Sequence, residues 1–194
     1  ANALGLVFYP QSPRFVTVER ARDIARAVPA SVCIVGVFVD DTFDSIMRTA
    51  RSARLDAVQL HGSEPPELVE KIRSNGLKVI KTLFRHRKPF FSQASDFPAT
   101  AFLVESGAGP LPGGNAEAWD YSRMKGFATS IPFVLAGGLS VENIQTAVAL
   151  CQPDAVDISS GVELKPGRKD LSKVKAFITA IHKERTIKSN RRIF

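Results

Sequence analysis

In the second half of this 194-residue chain, two apolar segments are each followed by a short group of small residues. The groups are Gly137-Gly138 and Ser159-Ser160-Gly161. Such residues leave backbone N–H groups accessible, and a helical turn after them adds the positive end of its dipole. Together the two groups are suited to bind a phosphate. A carboxylate there would repel the anion. We therefore expect Asp157, which precedes Ser159, to lie on the neighbouring side of the site, where the chemistry takes place.

Further polar residues stand at the ends of the earlier apolar segments. They are Ser12, Arg14, Asp40, Asp41, Gln59, His61, Lys81 and Glu105. The pair Asp40-Asp41 is better explained as a cap at the start of the next helix than as a metal site. His61 is either a structural histidine that caps the next helix or a supporting residue of an active site, and its sequence context leaves both open.

Seven apolar, β-branched segments predict strands, at 4–9, 32–39, 56–60, 77–83, 100–105, 132–137 and 154–159. Between them apolar residues repeat at helical spacing, as in 17–28 and in 171–181, where Leu171 and Phe177 belong to the predicted buried stripe. The residues expected to cap such helices are Thr17, Ser63 and Ser140 at their starts and Asn75-Gly76 at one end.

The regular alternation of strand and helix predicts an α/β fold with a parallel sheet, because strands that are apolar on both faces are covered by helices on both sides. A doubly wound open sheet and a closed (β/α) barrel both fit this pattern. The short, even units favour the barrel, in which residues at the carboxyl ends of the strands line one mouth. Such a barrel has eight strands, and only seven are predicted here.

The composition is that of an ordinary globular protein, with 44% hydrophobic and 23% charged residues. No apolar run is long enough to span a membrane, no signal peptide is evident, and Cys33 and Cys151 read as buried thiols, so we expect a cytoplasmic protein. The net charge is +7, and the segment 183–194 contains five of the basic residues and one Glu. We expect a barrel domain over 1–182, followed by a solvated basic tail that does not bind nucleic acid.

Several motifs in this order resemble the phosphoribosylanthranilate isomerase family, from Ala1 to about Ile181. The matching stretches are ALGLVFYPQSPRFV (3–16), VGVFVD (35–40), DAVQLHGSE (56–64), VIKT (79–82), GG within LPGGNAEAWDYS (111–122), VLAGGLSVENI (134–144) and VDISSGVELKPGRKD (156–170). The resemblance implies a (β/α)8 barrel whose first strand and helix are missing from this chain. It also implies a phosphorylated aminoribose substrate, an Amadori rearrangement in tryptophan biosynthesis, and no cofactor.

Site roles follow from the resemblance residue by residue. Glu105 aligns with the family's general acid, Arg14 with the residue that pairs with the anthranilate carboxylate, and Asp157 with a residue that holds the anilino nitrogen. Gly137, Gly138, Ser159, Ser160 and Gly161 align with the phosphate loops. Lys81 is expected to be a polar residue of the barrel interior rather than a Schiff-base lysine. Gln59 is expected to fill a barrel layer, and Trp119 to pack behind the loop after Glu105.

The chain departs from the family pattern at three places. The family's base is a cysteine of its first strand, and neither Cys33 nor Cys151 matches it, so we expect turnover by this chain to be severely reduced. The acid is normally Asp, and Glu105 is one methylene longer. In the glycine-rich segment 113–116, Ala116 replaces a usual Gly. The alternatives are a non-catalytic or truncated phosphate-binding barrel of the same family, or another sugar-phosphate barrel enzyme. We expect the protein to be a monomer or a homodimer.

Overall fold

The structure is a computed structural model that describes residues 1–109, 118–124, 127, 130–183 and 193–194. Within these residues, seven strands form one sheet in the order β1-β2-β3-β4-β5-β6-β7. Their bounds are β1 Ala3–Val7, β2 Cys33–Phe38, β3 Ala57–Leu60, β4 Lys78–Phe84, β5 Ala101–Glu105, β6 Phe133–Leu135 and β7 Ala155–Val156. A separate hairpin consists of β8 Glu163–Lys165 and β9 Arg168–Lys169. The helices are α1 Val18–Ala27, α2 Phe43–Ala53, α3 Pro66–Ser74, α4 Ile144–Cys151 and α5 Leu171–Lys183.

The strand order distinguishes between the two folds that the sequence allowed. A doubly wound sheet reverses its strand order at a switch point. Here each strand lies next to its neighbour in the chain, and the pairings resolved within the sheet are parallel. Strictly sequential parallel strands are the pattern of a (β/α) barrel. All seven predicted strands are present, each within a few residues of the expected position.

The described residues form two compact units. The first comprises 1–82, 95–100 and Phe194, and the second comprises 83–94 and 101–193. The expected division into a barrel of residues 1–182 and a tail of 183–194 stays a prediction.

In the first unit, β3 is buried along its whole length because residues on both of its faces are apolar or hydrogen-bonded. Thr17 is the N-cap of α1, and its hydroxyl accepts a hydrogen bond from the N–H of Arg20, as predicted. Asn75 ends α3, which was also predicted. The prediction for Ser63 is wrong: α3 begins after Pro65, because the N–H of Ser63 donates to Asp40 and proline favours the first helical positions.

In the second unit, β5 and β6 are fully buried strands. Two sequence predictions fail here. The N-cap of α4 is Asn143 rather than Ser140, because residues 141–143 form a turn before the regular helix begins. Leu171 is 81% exposed, whereas Phe177 is buried. Leu171 is the first residue of α5, so the apolar stripe becomes buried only further along that helix.

None of the helices in the described part of the chain is both long enough and apolar enough to pass through a bilayer.

Candidate active site

A pocket in the second unit is lined by the segments that follow three successive strands. Residues 105–108 begin at the end of β5, 136–139 follow β6, and 157–161 follow β7. The carboxyl ends of parallel strands in this fold carry the functional loops. The structure therefore brings together Glu105, Asp157 and both groups of small residues that the sequence singled out.

Glu105 is the buried carboxylate of this pocket, with 7% of its surface exposed. It is the last residue of β5, and its backbone carbonyl accepts a hydrogen bond from the N–H of Arg85 at 3.1 Å. The side chain lies close to Gly137, where an added Cβ would stand 3.3 Å from the Cβ of Glu105. Asp157 is exposed, and its N–H donates to Leu135 at 2.9 Å. The pocket thus combines one buried and one solvated carboxyl group.

Three side chains fix the glycine loop after β6 by binding its carbonyl groups. Trp119 Nε1 donates to the carbonyl of Ala136 at 3.1 Å, the Tyr121 hydroxyl donates to that of Gly137 at 2.8 Å, and Asn143 Nδ2 donates to that of Gly138 at 2.8 Å. A trans peptide unit is planar, so its N–H points away from its carbonyl oxygen. The three following N–H groups are consequently turned away from these side chains.

The glycines of this loop have backbone conformations that other residues rarely adopt. Gly137 has φ +86° and Gly138 has φ +64°, both in the left-handed region that glycine enters without steric cost. No hydrogen bond joins the N–H groups of Gly137 and Gly138 to any residue that the structure describes. The loop therefore presents donors that a bound anion can use.

The loop after β7 presents a second set of N–H groups. A short 3-10 helix, Ser160–Val162, begins there after Ser159. A Cβ on Gly161 would overlap the carbonyl oxygen of Leu139, so only glycine fits at this position. Within the described chain, the N–H groups of Ser160 and Gly161 also make no hydrogen bond. Two adjacent loops with available donors are suited to a phosphate group.

Tyr121 and Asn143 are parts of this site that the sequence analysis missed. Tyr121 is 16 residues from the carbonyl group that it binds, whereas Asn143 is five residues from its own partner. Neither residue type indicates such a contact in a single sequence. Trp119 packs against Tyr121 at a ring separation of 5.2 Å and binds the glycine loop after β6, whereas its expected place behind the loop that follows Glu105 stays a prediction. Burial and, to a smaller extent, the nearby Cys151 thiol raise the pKa of Tyr121 to about 12. The hydroxyl therefore remains a donor at any physiological pH.

The remaining candidate residues belong to the first unit. Arg14 is half-buried after β1, and its N–H donates to the hydroxyl of Ser12 at 3.1 Å. His61 is buried, with Nδ1 2.8 Å from Gln59 Nε2 and 3.0 Å from the hydroxyl of Thr82. Both partners can donate, so this network assigns the ring proton to Nε2. Because α3 is capped without a side-chain hydrogen bond, His61 does not cap it; its active-site role stays a prediction.

Lys81 takes part in a buried network rather than presenting a free amine. Its Nζ lies 2.5 Å from Glu64 Oε2 and 2.8 Å from the carbonyl oxygen of Gly62. Glu64 also accepts hydrogen bonds from the N–H groups of Gly62 and Asp40. This buried, hydrogen-bonded position agrees with the prediction that Lys81 is a polar interior residue. The sequence analysis missed Glu64 as its partner.

The capping prediction for Asp40-Asp41 is half right. The N-cap of α2 is Thr42, and Asp41 supports it by accepting hydrogen bonds from the N–H of Thr42 and the hydroxyl of Ser45. Asp40 instead accepts a hydrogen bond from the N–H of Ser63 at 2.6 Å.

Neither thiol of the chain is suited to act as a base. Burial raises the pKa of Cys33, and burial raises the pKa of Cys151 to about 11. Both are thus protonated near neutral pH. The described residues contain no group of three or more His, Cys, Asp or Glu side chains placed to hold a metal ion. The glycine-rich segment 113–116 lies outside the residues that the structure describes.

Comparison with known proteins identifies close relatives. The model of the family described as N-(5'-phosphoribosyl)anthranilate (PRA) isomerase matches residues 1–180. The chain is 47% identical over 178 residues to the N-(5'-phosphoribosyl)anthranilate isomerase of Desulfatibacillum aliphaticivorans, covering 92% of this chain and 82% of that protein. It is 42% identical over 186 residues to the same enzyme of Paramagnetospirillum magneticum, covering 93% of this chain and 86% of that protein.

Solved structures agree with this result. The phosphoribosylanthranilate isomerase of Thermus thermophilus superposes with a TM-score of 0.85 at 36% identity, covering 94% of this chain and 88% of that one. Another isomerase, in complex with reduced 1-(o-carboxyphenylamino)-1-deoxyribulose 5-phosphate, gives a TM-score of 0.82 at 36% identity, covering 95% and 89%. The fold class predicted from the sequence, that of the (β/α)8 barrel with seven strands in this chain, is confirmed.

Proposed function

The chain belongs to the N-(5'-phosphoribosyl)anthranilate isomerase family, and we propose how its residues perform the aldose–ketose isomerisation of tryptophan biosynthesis. The substrate is N-(5'-phosphoribosyl)anthranilate and the product is 1-(2-carboxyphenylamino)-1-deoxyribulose 5-phosphate. The supporting observation is that the pocket joins a buried carboxyl group to two loops whose N–H groups are available to an anion.

The two loops bind the substrate's phosphate. Donors from Gly137 and Gly138 meet donors from Ser160 and Gly161 in one pocket, and fixed N–H dipoles compensate the phosphate charge without a metal ion. The Ser159 hydroxyl belongs to the same loop. Binding the phosphate at this end directs the ribose towards Glu105.

Glu105 serves as the general acid. Its proton passes to the ring oxygen of the furanose, the C1–O bond breaks, and the anilino nitrogen lone pair forms an iminium. A base then removes the C2 proton. The resulting enolamine takes up a proton at C1 while its C2 hydroxyl loses one, which gives the ketose. The proton held by the base returns to Glu105 through solvent, so that no atom is gained or lost. A carboxyl group can act as this acid when it lies within hydrogen-bond reach of the ring oxygen.

The other side chains orient the aromatic half of the substrate. Asp157 is solvated and accepts a hydrogen bond from the anilino N–H. Arg14 pairs with the anthranilate carboxylate, for which a guanidinium offers two parallel donors. His61 gives support with its Nε2–H donor. The base is neither Cys33 nor Cys151, since both thiols are protonated near neutral pH.

We further propose that the protein acts in the cytoplasm as a monomer or homodimer. Both cysteines lie outside any disulfide, which suits a reducing compartment. A related crystal structure is of monomers generated from a dimeric isomerase of Thermotoga maritima.

Calorimetric titration with reduced 1-(o-carboxyphenylamino)-1-deoxyribulose 5-phosphate tests the binding part of this proposal. We expect saturable binding that inorganic phosphate competes away. Gly161→Ala should weaken it about tenfold or more, because the added methyl displaces the phosphate loop. Gly5→Ala is the matched control, since Gly5 lies outside the left-handed region and its added Cβ would stand 3.8 Å from the nearest atom, a methyl group of Val37. Equal affinities of the two variants for the compound would contradict the assignment.

A further inference from the structure

The segment that follows the proposed phosphate loop folds back onto that loop. Strands β8 and β9 form an antiparallel hairpin whose turn contains Gly167 at φ +80°. The hairpin returns the chain to Ser159: Lys169 Nζ lies 2.9 Å from the Ser159 carbonyl oxygen and 3.3 Å from its hydroxyl oxygen. The sequence analysis gave this stretch, PGRK, no role.

A buried carboxylate holds the lysine in place. Glu163 Oε1 lies 3.0 Å from Lys169 Nζ, and the glutamate side chain is 4% exposed while that of the lysine is 41% exposed. The N–H of Gly167 also donates to Glu163 Oε1, at 3.3 Å. A charge-assisted bond to a buried, multiply bonded carboxylate restricts the ammonium group to one position.

Fixing the Ser159 carbonyl also fixes the next N–H group. The peptide unit that joins Ser159 to Ser160 is planar, so the Ser160 N–H points away from Lys169. Ser160 lines the pocket, and its N–H makes no hydrogen bond within the described chain. Trp119, Tyr121 and Asn143 orient the neighbouring glycine loop in the same way, by binding its carbonyl groups.

We propose that Lys169 is a positioning residue for phosphate binding: it turns the Ser160 N–H towards the bound phosphate, and Glu163 keeps the lysine in place. This inference rests on the proposed function, because it takes the ligand of that pocket to be a phosphate ester. The positive charge beside the loop also lowers the electrostatic cost of bringing an anion there.

The test compares Lys169→Met with Arg168→Met. Arg168 is the preceding residue of β9 and is exposed, and no hydrogen bond in the described chain joins its side chain to Ser159. Each variant is titrated with inorganic phosphate and with reduced 1-(o-carboxyphenylamino)-1-deoxyribulose 5-phosphate, and KM and kcat are measured separately. Lys169→Arg and Lys169→Gln, which keep a donor with and without the charge, complete the series.

We expect Lys169→Met to weaken phosphate binding and to raise KM by about tenfold, with kcat within about threefold of wild type. Lys169→Arg should recover most of the affinity, and Lys169→Gln should be intermediate. Arg168→Met should bind phosphate as wild type does. If Lys169→Met does not fold, the inference is still tested by whether phosphate affinity falls from wild type to Lys169→Arg and then to Lys169→Gln.

Equal phosphate affinity of Lys169→Met and Arg168→Met would overturn the proposal, as would equal affinity of wild type and Lys169→Gln. Failure of the proposed function gives a different result. A wild-type chain that binds phosphate but neither binds the reduced compound nor isomerises the substrate would refute the function. The effect of Lys169→Met on phosphate binding would still decide the role of the lysine.

Discussion

Lys81 Nζ and Glu64 Oε2 form an ion pair 2.5 Å apart in which the side chains are 0% and 1% exposed. Removing water from two charges is costly, and their mutual attraction offsets this cost only while both are present. The same glutamate also accepts hydrogen bonds from the N–H groups of Gly62 and Asp40. The pair therefore joins the middle of β4 to the segment that follows β3.

Lys81→Met should lower the free energy of unfolding by about 3 to 5 kcal/mol, because it leaves the Glu64 carboxylate buried without its cation. Urea denaturation measures the change. The control is Arg123→Met, which breaks the exposed pair Arg123–Asp120 and should cost less than about 1 kcal/mol. A Lys81→Met variant as stable as this control would show that the buried pair does not stabilise the fold.

Tyr121→Phe should weaken phosphate binding by about three- to tenfold, because the Gly137 carbonyl loses its donor while the aromatic packing is kept. The defect should be the same across the neutral pH range, since burial raises the pKa of Tyr121 to about 12. Titration with inorganic phosphate measures it. Tyr9→Phe is the control, because that hydroxyl bonds only to the nearby Gln11 among the residues described. Wild-type affinity in Tyr121→Phe would refute the orienting role of the hydroxyl.

Cys151 should make stability depend on pH in alkaline solution. Burial raises its pKa in the folded state from 9.0 to about 11, so the unfolded chain loses the thiol proton first. The contribution to stability is full below the unfolded pKa, and it is lost as the pH rises from about 9 to about 11. Because the thiol is only half-buried, we expect the free energy of unfolding to fall by about 1 kcal/mol over this pH range.

Cys151→Ser removes that titrating group. Unfolding of the wild type and the variant by urea, in reducing buffer between about pH 8 and pH 10, should give a smaller loss of stability with rising pH in the variant. This range lies below the raised pKa of Tyr121. Identical slopes in the two proteins would contradict the expected titration of Cys151.

The elements of the fold were predictable because they follow local physical rules. Strands such as β3 are apolar on both faces, and Thr17 combines N-cap chemistry with a clear helical repeat. The prediction for Ser63 failed because a tertiary contact overrides the local preference, and the prediction for Ser140 failed because a competing local contact precedes the regular helix. The N–H of Ser63 is bound by Asp40, and that of Ser140 by Asn143.

The site was predictable where function places residues next to strand ends, as for Glu105, Asp157 and the two loops. The residues that support these loops were not predictable in this way. Tyr121 and Lys169 act on backbone carbonyl groups of distant residues, and any hydrogen-bond donor of suitable length could do so. Nothing in residue type or spacing indicates such a contact before the fold is known.

The role of Glu105 is tested most directly by the isomerisation rate of Glu105→Gln. The amide keeps the shape of the side chain but cannot give a proton to the ring oxygen, and one positioned acid contributes about 100- to 10,000-fold to a rate. The wild-type rate is itself expected to be low, because neither cysteine of the chain matches the family's base, and we expect the kcat of Glu105→Gln to lie about 100-fold or more below it. The affinity for reduced 1-(o-carboxyphenylamino)-1-deoxyribulose 5-phosphate should stay within about threefold, which shows that the pocket is intact. A Glu105→Gln protein that isomerises N-(5'-phosphoribosyl)anthranilate at the wild-type rate would contradict the assignment of Glu105 as the general acid.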